Sequence, residues 1–400
     1  MKFLLLGNGK TIKYIKKYID FKKDSYIQAV FDFEYKRKYK LINESLLELN
    51  DIDYVIKSPG ISETNQIYLK LKQKFKFINE LDLLDIYKEK VKSIVITGSN
   101  GKTTFVSMLY YLLKKANKKV IKCGNSFKPI TSYYKQFDKV DYLIIEQSSF
   151  QLHNLSFYKP YISIILNLQE NHLDNSYSLN SYYENKKNIF KYQDRKSYFI
   201  LDKNIKELKN ITCNANIIEL LKYQDMNLIN SNLDKYSNNF NYFYTIFKIL
   251  GLNTDLIKTL NNFKTLNYRQ QIIKIKDKIY INDSKSTSVD ATLFALNSLK
   301  DNKNIILIIG GKDKNCSLKR LNNIKVKHII CYGKIALKAK KELDNVILCK
   351  TLKNALKIAK NINFDDNIIL FSPATSSLDQ YKSYIDRAKH FNRLIRYEKD

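Results

Sequence analysis

Two hydrophobic periods alternate along this chain and predict strands and helices in turn. Short runs of β-branched and apolar residues are typical of buried strands, and the stretches between them repeat apolar positions every three to four residues, as amphipathic helices do. Strands that alternate with crossover helices form largely parallel sheets, and ligands bind such sheets at the carboxyl ends of the strands. The pattern therefore predicts an α/β protein with mostly parallel sheets.

Three blocks of this alternating pattern follow one another, and each opens with a strand. The first starts with KFLLL, the second with SIVIT and the third with KIYIN. A chain of 400 residues with 44% hydrophobic residues is long and apolar enough for two or three packed cores. We expect three domains, over residues 1–90, 91–266 and 267–400.

The junction between a strand and a helix in the second block carries the most informative motif. The run SIVIT leads into TGSNGKTT, and a helical pattern begins directly after it. In such a turn the backbone amides and the positive end of the helix bind a polyphosphate, Lys102 adds a positive charge, and the Thr103 hydroxyl is a magnesium ligand. Ile96 stands where the usual motif has its first glycine, so this is a short variant loop. The position of the motif predicts nucleotide binding rather than a plain turn.

Composition narrows the class of protein. The formal net charge is +30, but lysines are spread along the whole chain beside abundant Asn, Ile and Tyr, which is typical of drift towards A/T-rich codons rather than of a nucleic-acid-binding patch. The five cysteines lie far apart without a C-x-x-C pair, which favours buried thiols over disulfides or a zinc site. No apolar stretch is long enough for a signal peptide or a membrane span, so we expect a soluble cytoplasmic protein.

Polar residues follow several predicted strands, where the ligands of a parallel sheet would lie. In the second block Glu146 ends the strand YLII, in the position of a carboxylate for a magnesium nucleotide, and His172 follows the next strand. A solvated acid and an exposed imidazole are the alternatives. In the first block Gly7 and Gly9 form a turn between a strand and a helix, which suits either a pyrophosphate or a structural tight turn.

Three strand ends of the third block carry hydroxyl and lysine side chains. They lie in the segments NDSKST, GGKDK and SPATSS. Helix capping explains part of this polarity. The convergence of all three segments at one edge of a sheet nevertheless predicts an anion-binding surface, and a small acid with carboxylates suits it.

The combination of motifs resembles the ATP-dependent Mur ligases of peptidoglycan synthesis. The motifs TGSNGKTT, EQSSFQL, ENHLD, YRQ, NDSKSTSVDATLFAL, GGKDK and SPATSSLDQYKSYIDRAKHF occur in this order and cover essentially the whole chain. The segments SSFQL, NDSK-x-T-x-VDAT and SPA-x-x-S-x-DQ are most similar to the members that add D-glutamate. The resemblance implies that the protein uses ATP to join D-glutamate to UDP-N-acetylmuramoyl-L-alanine through an acyl phosphate. It also implies a Rossmann-like UDP-sugar domain, a central P-loop ATPase domain, and a Rossmann-like C-terminal domain that brings D-glutamate by closing, in a monomeric enzyme.

The resemblance assigns residues by position. The residues implied to contact ATP are Gly98, Asn100, Gly101, Lys102, Thr103, Thr104, Asn238, Asn241, Arg269 and Asp283. Those implied to contact the UDP sugar are Gly7, Gly9, Thr11, Asp32, Gly60, Asn125, Ser148 and Gln151. Those implied to bind D-glutamate are Lys285, Thr287, Lys314, Ser377 and Tyr384. Two magnesium ions are implied, with Thr103, Glu146, His172 and a carbamate formed by CO2 on Lys186 as ligands, and the implied catalytic residues are Lys102, Glu146, His172 and Lys186.

Three alternative interpretations stay open. Another amide ligase of the same superfamily, similar to folylpolyglutamate synthase, would take a different acceptor. A basic P-loop ATPase acting on nucleic acid would leave the polar strand ends of the third block unexplained. A folded chain without activity is suggested by departures from the family motifs, with Asn171 for an aspartate and Tyr268 for a histidine. On the interpretation as a D-glutamate-adding ligase, the expected partners are the two small-molecule substrates, UDP-N-acetylmuramoyl-L-alanine and D-glutamate, with no nucleic acid and no membrane.

Overall fold

A computed structural model gives the structure of the protein and describes residues 1–29, 48–169, 179–224, 236–263, 266–276, 278–299, 304–313, 317–362 and 368–396. Contacts between Cα atoms divide the chain into two compact units, the first reaching Phe263 and the second beginning at Lys264. Two sheets lie in the first unit and one in the second. The division into three domains therefore stays a prediction. None of the helices in the described ranges is long and apolar enough to span a membrane.

The first sheet is wholly parallel, in the strand order β2-β1-β3-β4. Its strands and the accompanying helices are β1 (Lys2–Leu6), α1 (Lys10–Phe21), β2 (Ser25–Ala29), β3 (Tyr54–Lys57), α2 (Gln66–Lys74), β4 (Phe77–Ile78) and α3 (Asp82–Ile86). Phe3 and Leu5 pack into one apolar core, and Leu4 and Leu6 pack into another. Both faces of β1 are covered, which explains why its sequence is a continuous apolar run.

The second sheet is also wholly parallel, in the order β10-β9-β8-β5-β7-β6. Its strands are β5 (Lys92–Thr97), β6 (Val120–Gly124), β7 (Tyr142–Glu146), β8 (Ile162–Ile165), β9 (Tyr198–Leu201) and β10 (Asn216–Glu219). The helices are α4 (Lys102–Lys115), α5 (Ser149–Leu152), α6 (Leu179–Lys191), α7 (Ser237–Ile249) and α8 (Leu256–Leu260), with 3₁₀ turns at Ile130–Lys139 and Lys206–Leu208. Because β5 lies between β8 and β7, the loop that follows β5 is flanked by the ends of two neighbouring strands.

The third sheet has the order β11-β12-β16-β13-β14-β15. Its strands are β11 (Gln271–Ile275), β12 (Lys278–Asn282), β13 (Ile305–Gly310), β14 (His328–Tyr332), β15 (Val346–Cys349) and β16 (Ile368–Phe371). The helices are α9 (Val289–Asn297), α10 (Ala336–Glu342), α11 (Leu352–Asn361) and α12 (Tyr384–Arg396), with a 3₁₀ turn at Lys319–Asn323. The edge strand β11 pairs antiparallel with β12, because a connection of two residues is too short for a parallel crossover. The other pairings are parallel, and the predicted α/β class is confirmed.

Candidate active site

The turn between β5 and α4 has the geometry of a phosphate-binding loop. The strand ends at Thr97, the helix starts at Lys102, and the intervening Gly98 and Gly101 have φ angles of 156° and 81°. Gly101 is the N-cap of α4, and no described side chain caps the helix there. The amides at the start of this helix of 14 residues, together with its dipole, favour an anion in front of the turn.

The end of the neighbouring strand β8 holds this loop in place. Asn167 Oδ1 accepts a hydrogen bond from the Asn100 amide at 2.9 Å, and Asn167 Nδ2 donates to the Asn100 carbonyl at 3.2 Å. The Ser99 amide donates to the Asn167 carbonyl at 3.1 Å, and Ser99 Oγ donates to the Gln169 carbonyl at 2.9 Å. The loop is thus ordered by hydrogen bonds to the segment that follows β8, and this lowers the entropic cost of arranging the loop amides around phosphates.

Two lysines share one acceptor in the loop. The Nζ atoms of Lys102 and Lys186 donate to the Gly98 carbonyl at 2.6 and 3.0 Å, and Lys102 also donates to the Ser99 carbonyl at 2.9 Å. Lys186 lies on α6, is 1% exposed, and places Nζ 4.4 Å from the centre of the Tyr182 ring. Burial and, second, the charge of Lys102 hold the pKa of Lys186 well below its usual range. The amine of Lys186 is therefore far more often neutral, and so nucleophilic, than that of an ordinary lysine.

The end of β7 presents a carboxylate beside the loop. Glu146 is 1% exposed, and its Oε1 accepts hydrogen bonds from Asn125 Nδ2 at 2.8 Å and from Ser126 Oγ at 2.9 Å. Ser126 Oγ in turn accepts from Thr103 Oγ1 at 3.0 Å. Glu146 Oε2 is buried with no hydrogen-bond partner among the described residues, an arrangement that is unfavourable unless a ligand or cation satisfies it. Asn125, which the resemblance assigns to the UDP sugar, thus contacts the carboxylate beside the phosphate loop.

Some of the residues assigned to the UDP sugar lie together around a cavity in the first unit. Thr11 at the start of α1 and Gln151 on α5 line this cavity with the buried Lys57 and Glu80. Ser148 and Gln151 form the capping box of α5, in which the Ser148 amide donates to Gln151 Oε1 at 3.0 Å. The cavity therefore brings together residues of the first sheet and residues that follow β7 of the second sheet.

The glycines near the start of the chain form a closely packed turn. Gly7 has a φ angle of 99°, and a Cβ added to it would lie 2.9 Å from Ser58 Cβ. A Cβ on Gly9, the N-cap of α1, would lie 2.9 Å from Ser58 Oγ. The turn after β1 therefore packs against the turn after β3, which also carries Gly60. Asp32 lies outside the described residues.

Two buried acids beside the cavity were missed by the sequence analysis. Glu80 Oε1 accepts from the amide and hydroxyl of Thr131 at 2.8 and 2.7 Å, and burial raises the pKa of this carboxyl. Asp82 is fully buried and accepts hydrogen bonds from the amides of Asn79 and residues 156–158. Both carboxyl groups join segments that follow β4 to segments of the second sheet. The available signal was the presence of two acids directly after an apolar strand, in FINELD.

For three residues assigned to the nucleotide or metal, the described structure provides no hydrogen bond to the loop. Asn238 is exposed on α7. Asn241, on the same helix, accepts a hydrogen bond from the Tyr223 amide at 2.9 Å through its Oδ1. His172 lies outside the described residues, so its place beside Glu146 stays a prediction.

The second unit carries the other two residues assigned to ATP. Asp283 follows β12, and its Oδ1 and Oδ2 accept from the Gln270 amide at 3.2 Å and from Ser372 Oγ at 2.9 Å. Burial raises the pKa of Asp283 to about 6, although these hydrogen bonds and Arg269 oppose the shift. The residues on either side of Arg269 have positive φ angles, 63° at Tyr268 and 50° at Gln270. Strained backbone of this kind persists only where the surrounding contacts hold it.

The carboxyl ends of β12, β16 and β13 lie side by side, as the polar strand ends of the third block led us to expect. The amide of Gly310, the last residue of β13, donates to the Pro373 carbonyl after β16 at 3.0 Å. The Lys312 amide donates to the Ser376 carbonyl at 2.8 Å. The hydroxyl and lysine side chains of these segments therefore share one edge of the sheet.

Four of the five residues assigned to D-glutamate lie in the described part of this edge. Lys285 and Thr287 are half-buried, and Ser377 is buried. Lys285 Nζ lies 4.6 Å from the centre of the Tyr384 ring, close enough for a cation–π contact. Lys314 lies outside the described residues.

Comparison with known proteins defines the class of this fold. Residues 96–263 match the family model of the Mur ligase middle domain. A MurF ligase from Thermotoga maritima, solved in complex with ADP, is 15% identical with a TM-score of 0.57, over 89% of this chain and 90% of that one. A pseudomurein peptide ligase type C from Methanothermus fervidus is 16% identical with a TM-score of 0.60, over 98% of this chain and 99% of that one. The protein therefore has the fold of the Mur-type peptide ligases.

More similar relatives narrow the class to one family. The UDP-N-acetylmuramoylalanine--D-glutamate ligase of Elusimicrobium minutum is 31% identical over 86% of this chain and 85% of its own length. The ligase of the same name from Aquifex aeolicus is 30% identical over 99% of this chain and 98% of its own length. The chain belongs to the family of UDP-N-acetylmuramoylalanine--D-glutamate ligases.

Proposed function

We infer that the protein is an ATP-dependent carbon–nitrogen ligase that adds D-glutamate to UDP-N-acetylmuramoyl-L-alanine in peptidoglycan precursor synthesis. The observation that carries this inference is the phosphate loop between β5 and α4, flanked by a buried carboxylate and a buried lysine. Relatives named for this reaction match nearly the whole chain. Because both the UDP-linked substrate and ATP are cytoplasmic metabolites, we place the enzyme in the cytoplasm. We further propose that it acts as a monomer.

The reaction proceeds in two steps. A carboxylate oxygen of the L-alanine residue attacks the γ-phosphorus of ATP, and ADP leaves with the electrons of the broken P–O bond. The α-amine of D-glutamate then attacks the acyl phosphate, loses a proton, and the tetrahedral intermediate expels phosphate as the amide forms. The loop amides orient the phosphates and Lys102 balances the charge that develops on them, so positioning and charge neutralisation supply most of the rate enhancement.

The side chains beside the loop fit a magnesium ion. Glu146 Oε2 is a buried oxygen to which no described residue donates, and Ser126 links Oε1 of the same carboxylate to the Thr103 hydroxyl. Oxygen ligands of this kind are the ones that magnesium prefers. Bound there, magnesium would neutralise phosphate charge and polarise the γ-phosphate. We assign one ion to Thr103 and Glu146, and a second to a ligand set that includes His172 and a modified Lys186.

The modification of Lys186 is a carbamate. Its neutral amine adds to the carbon of CO2: an N–C bond forms, the electrons of one C=O π bond move to oxygen, and the nitrogen loses one proton, which leaves a carboxylate-like anion in place of the amine. Support comes from the burial of Lys186, from the depressed pKa of its amine, and from its hydrogen bond to the loop carbonyl of Gly98. An anion at this position relieves the repulsion between Lys186 and Lys102.

The remaining assignments follow the positions of the family motifs and are grouped by the three substrates. We assign adenine, ribose and phosphate contacts to Gly98, Asn100, Gly101, Lys102, Thr103, Thr104, Asn238, Asn241, Arg269 and Asp283. We assign the UDP sugar to Gly7, Gly9, Thr11, Asp32, Gly60, Asn125, Ser148 and Gln151. We assign D-glutamate to Lys285, Thr287, Lys314, Ser377 and Tyr384. Support for the last group is the shared strand-end surface, where cations and hydroxyls suit a dicarboxylate.

Phosphate release tests this function directly. The purified protein is mixed with magnesium, ATP and UDP-N-acetylmuramoyl-L-alanine, and phosphate is measured with and without D-glutamate. We expect release that requires D-glutamate and a product heavier by one glutamyl residue. L-glutamate, L-alanine and diaminopimelate serve as controls. Incorporation of one of these amino acids instead of D-glutamate would identify another amide ligase of the superfamily. If no amino acid led to phosphate release, the result would support a folded chain without activity.

A further inference from the structure

The helix α12 carries an arginine that is completely buried beneath the polar strand ends of the third sheet. Arg387 is 0% exposed and is among the largest fully buried side chains of the described structure. We propose that Arg387 is a positioning residue for the D-glutamate site, holding the three strand-end loops in one arrangement and placing beneath them a positive charge that forms no ion pair with a described carboxylate. This proposal rests on the D-glutamate ligase function proposed above.

The guanidinium group joins the loops that follow β12, β13 and β16. Its Nε donates to Ser284 Oγ at 3.1 Å, and Nη2 donates to the Ser284 carbonyl at 3.0 Å. Nη1 donates to the Gly310 carbonyl at 3.2 Å, and Nη1 and Nη2 both donate to the Thr375 carbonyl at 3.2 Å. A planar fork with donors at fixed angles fixes the relative positions of its acceptors in a way that a single ammonium group cannot.

The space around the guanidinium is filled. A Cβ added to Gly311 would lie 3.1 Å from Arg387 Nη1 and 2.8 Å from Thr375 Oγ1. The backbone at Gly311 has a φ angle of 133°, which side chains rarely adopt. The arginine and the backbone of these loops are therefore packed as one rigid unit.

The loops that Arg387 holds are those that carry the proposed D-glutamate residues. Each of the four that the structure describes lies within four positions along the chain from Arg387 or from one of its acceptors: Lys285, Thr287, Ser377 and Tyr384. The Ser284 hydroxyl also donates to the Tyr384 carbonyl at 2.9 Å. One hydroxyl thus connects the guanidinium, the β12 end and the first residue of α12. A change in the fork would shift the D-glutamate ligands relative to one another.

Arg387 forms no ion pair with any carboxylate in the part of the chain that the structure describes. Within the described ranges no carboxylate oxygen lies within 4.0 Å of the guanidinium, and Asp379 attracts it only from farther away. Its acceptors are carbonyls and one hydroxyl. Burying a cation without a counterion is costly, and a dicarboxylate bound at the strand ends would be stabilised by that charge. The arrangement favours an anionic amino acid over a neutral one.

Steady-state kinetics with D-glutamate as the varied substrate test the proposal. Arg387→Lys keeps the charge and removes the fork, and Arg393→Lys, at an exposed position of the same helix, is the matched control. We expect Arg387→Lys to raise KM for D-glutamate at least about tenfold, while KM for ATP and for the UDP substrate changes less than about twofold. Formation of ADP in a single turnover without D-glutamate should proceed at the rate of the unmodified enzyme. The control variant should behave as the unmodified enzyme does.

The alternative is a role in stability alone. In that case a folded Arg387→Lys variant would keep its KM for D-glutamate within about twofold, or all three KM values would rise together, and either result would overturn the proposal. If Arg387→Lys does not fold, Ser284→Ala decides, since it keeps the arginine and removes one acceptor. We expect a rise of about threefold or more in KM for D-glutamate, and an unchanged KM would refute the role. Failure of the proposed function is distinguishable, because the unmodified protein would then show no D-glutamate-dependent phosphate release.

Discussion

Replacing Lys186 with alanine tests the chemistry of the buried lysine beside the phosphate loop. In the unmodified enzyme the amine lies 3.0 Å from the Gly98 carbonyl and is almost fully buried near a second lysine. If CO2 converts this amine to a carbamate, the substitution removes an anion that helps to hold magnesium. We therefore expect Lys186→Ala to lose D-glutamate-dependent phosphate release while keeping its fold.

Whether Lys186 can form a carbamate depends on the protonation of its amine, because only the neutral amine attacks CO2. An ordinary lysine with a pKa near 10.4 is neutral in only about one molecule in a thousand at pH 7.5. Burial and the Lys102 charge lower the pKa of Lys186 well below that value, so a larger fraction of its amine is neutral and able to attack CO2. Since the carbamate would serve as a metal ligand, we expect its loss to reduce kcat at least about a hundredfold.

Chemical rescue is the decisive assay. Short carboxylic acids such as acetate or propionate should restore part of the activity of Lys186→Ala, because their carboxylate can occupy the position of the carbamate. Labelled bicarbonate should give a carbamate signal by ¹³C NMR in the enzyme that retains Lys186 and none in the Lys186→Ala variant. Lys187→Ala is the matched control, since its neighbouring amine pairs with Glu184 at 2.8 Å and is more exposed.

Two outcomes together would refute this reasoning. One is a Lys186→Ala variant that is folded and inactive but is not rescued by any short carboxylic acid. The other is a ¹³C carbamate signal that is absent from the unmodified enzyme or equally strong in the variant. Lys186 would then act as a plain amine that donates to the Gly98 carbonyl.

Four further substitutions test separate parts of the site. Lys102→Ala should abolish D-glutamate-dependent phosphate release without unfolding, because it removes the charge at the phosphates, and retained turnover would contradict the assigned role. Ser126→Ala should weaken binding of Mn²⁺ with ADP about threefold to tenfold by electron paramagnetic resonance, since the serine links Thr103 to Glu146, and an unchanged affinity would argue against that link. Asp82→Ala should lower the free energy of unfolding by about 3 to 5 kcal/mol in urea titrations, because it strands several buried amides, and a loss below about 1 kcal/mol would show that they find other acceptors. Lys186→Met should flatten the pH dependence of the free energy of unfolding, measured without CO2. The pKa of Lys186 is lower in the folded protein than in the unfolded chain, so the unfolded chain binds more protons at pH values between these two pKa values. The contribution of Lys186 to stability therefore rises with pH across that window. An equally steep profile in the methionine variant would contradict the depressed pKa.

Local patterns were enough to predict the strand–loop–helix unit at the centre of the site. The apolar run of β5, the two glycines and the helical pattern of α4 are all contained within residues 92–115, so no distant contact is needed to recognise them. The shared edge of β12, β13 and β16 was also expected, because parallel strands present their carboxyl ends on the same side.

The residues that the sequence analysis missed depend on contacts across long stretches of chain. Arg387 lies in a helix rich in charged residues, where an arginine ordinarily faces solvent, and its acceptors are up to 103 positions away. Ser126 is a small polar residue in a turn until β6 places it against Glu146, 20 positions later. Glu80 is an ordinary acid after a short strand until Thr131 covers it. Neither a hydrophobic period nor a fixed spacing in the sequence predicts any of these three pairings.

The amino-acid sequence by itself determined the alternation of strands and helices, the phosphate loop and the family resemblance, because each depends on the order of neighbouring residues. Only the tertiary structure decided which polar groups are buried and what they contact. It placed Lys186 and Lys102 on one carbonyl, left one oxygen of Glu146 without a donor among the described residues, and set Arg387 beneath three loops. The physical reason is that desolvation and hydrogen bonding depend on which segments meet in space, and they convert ordinary lysine, glutamate and arginine side chains into groups with distinct chemistry.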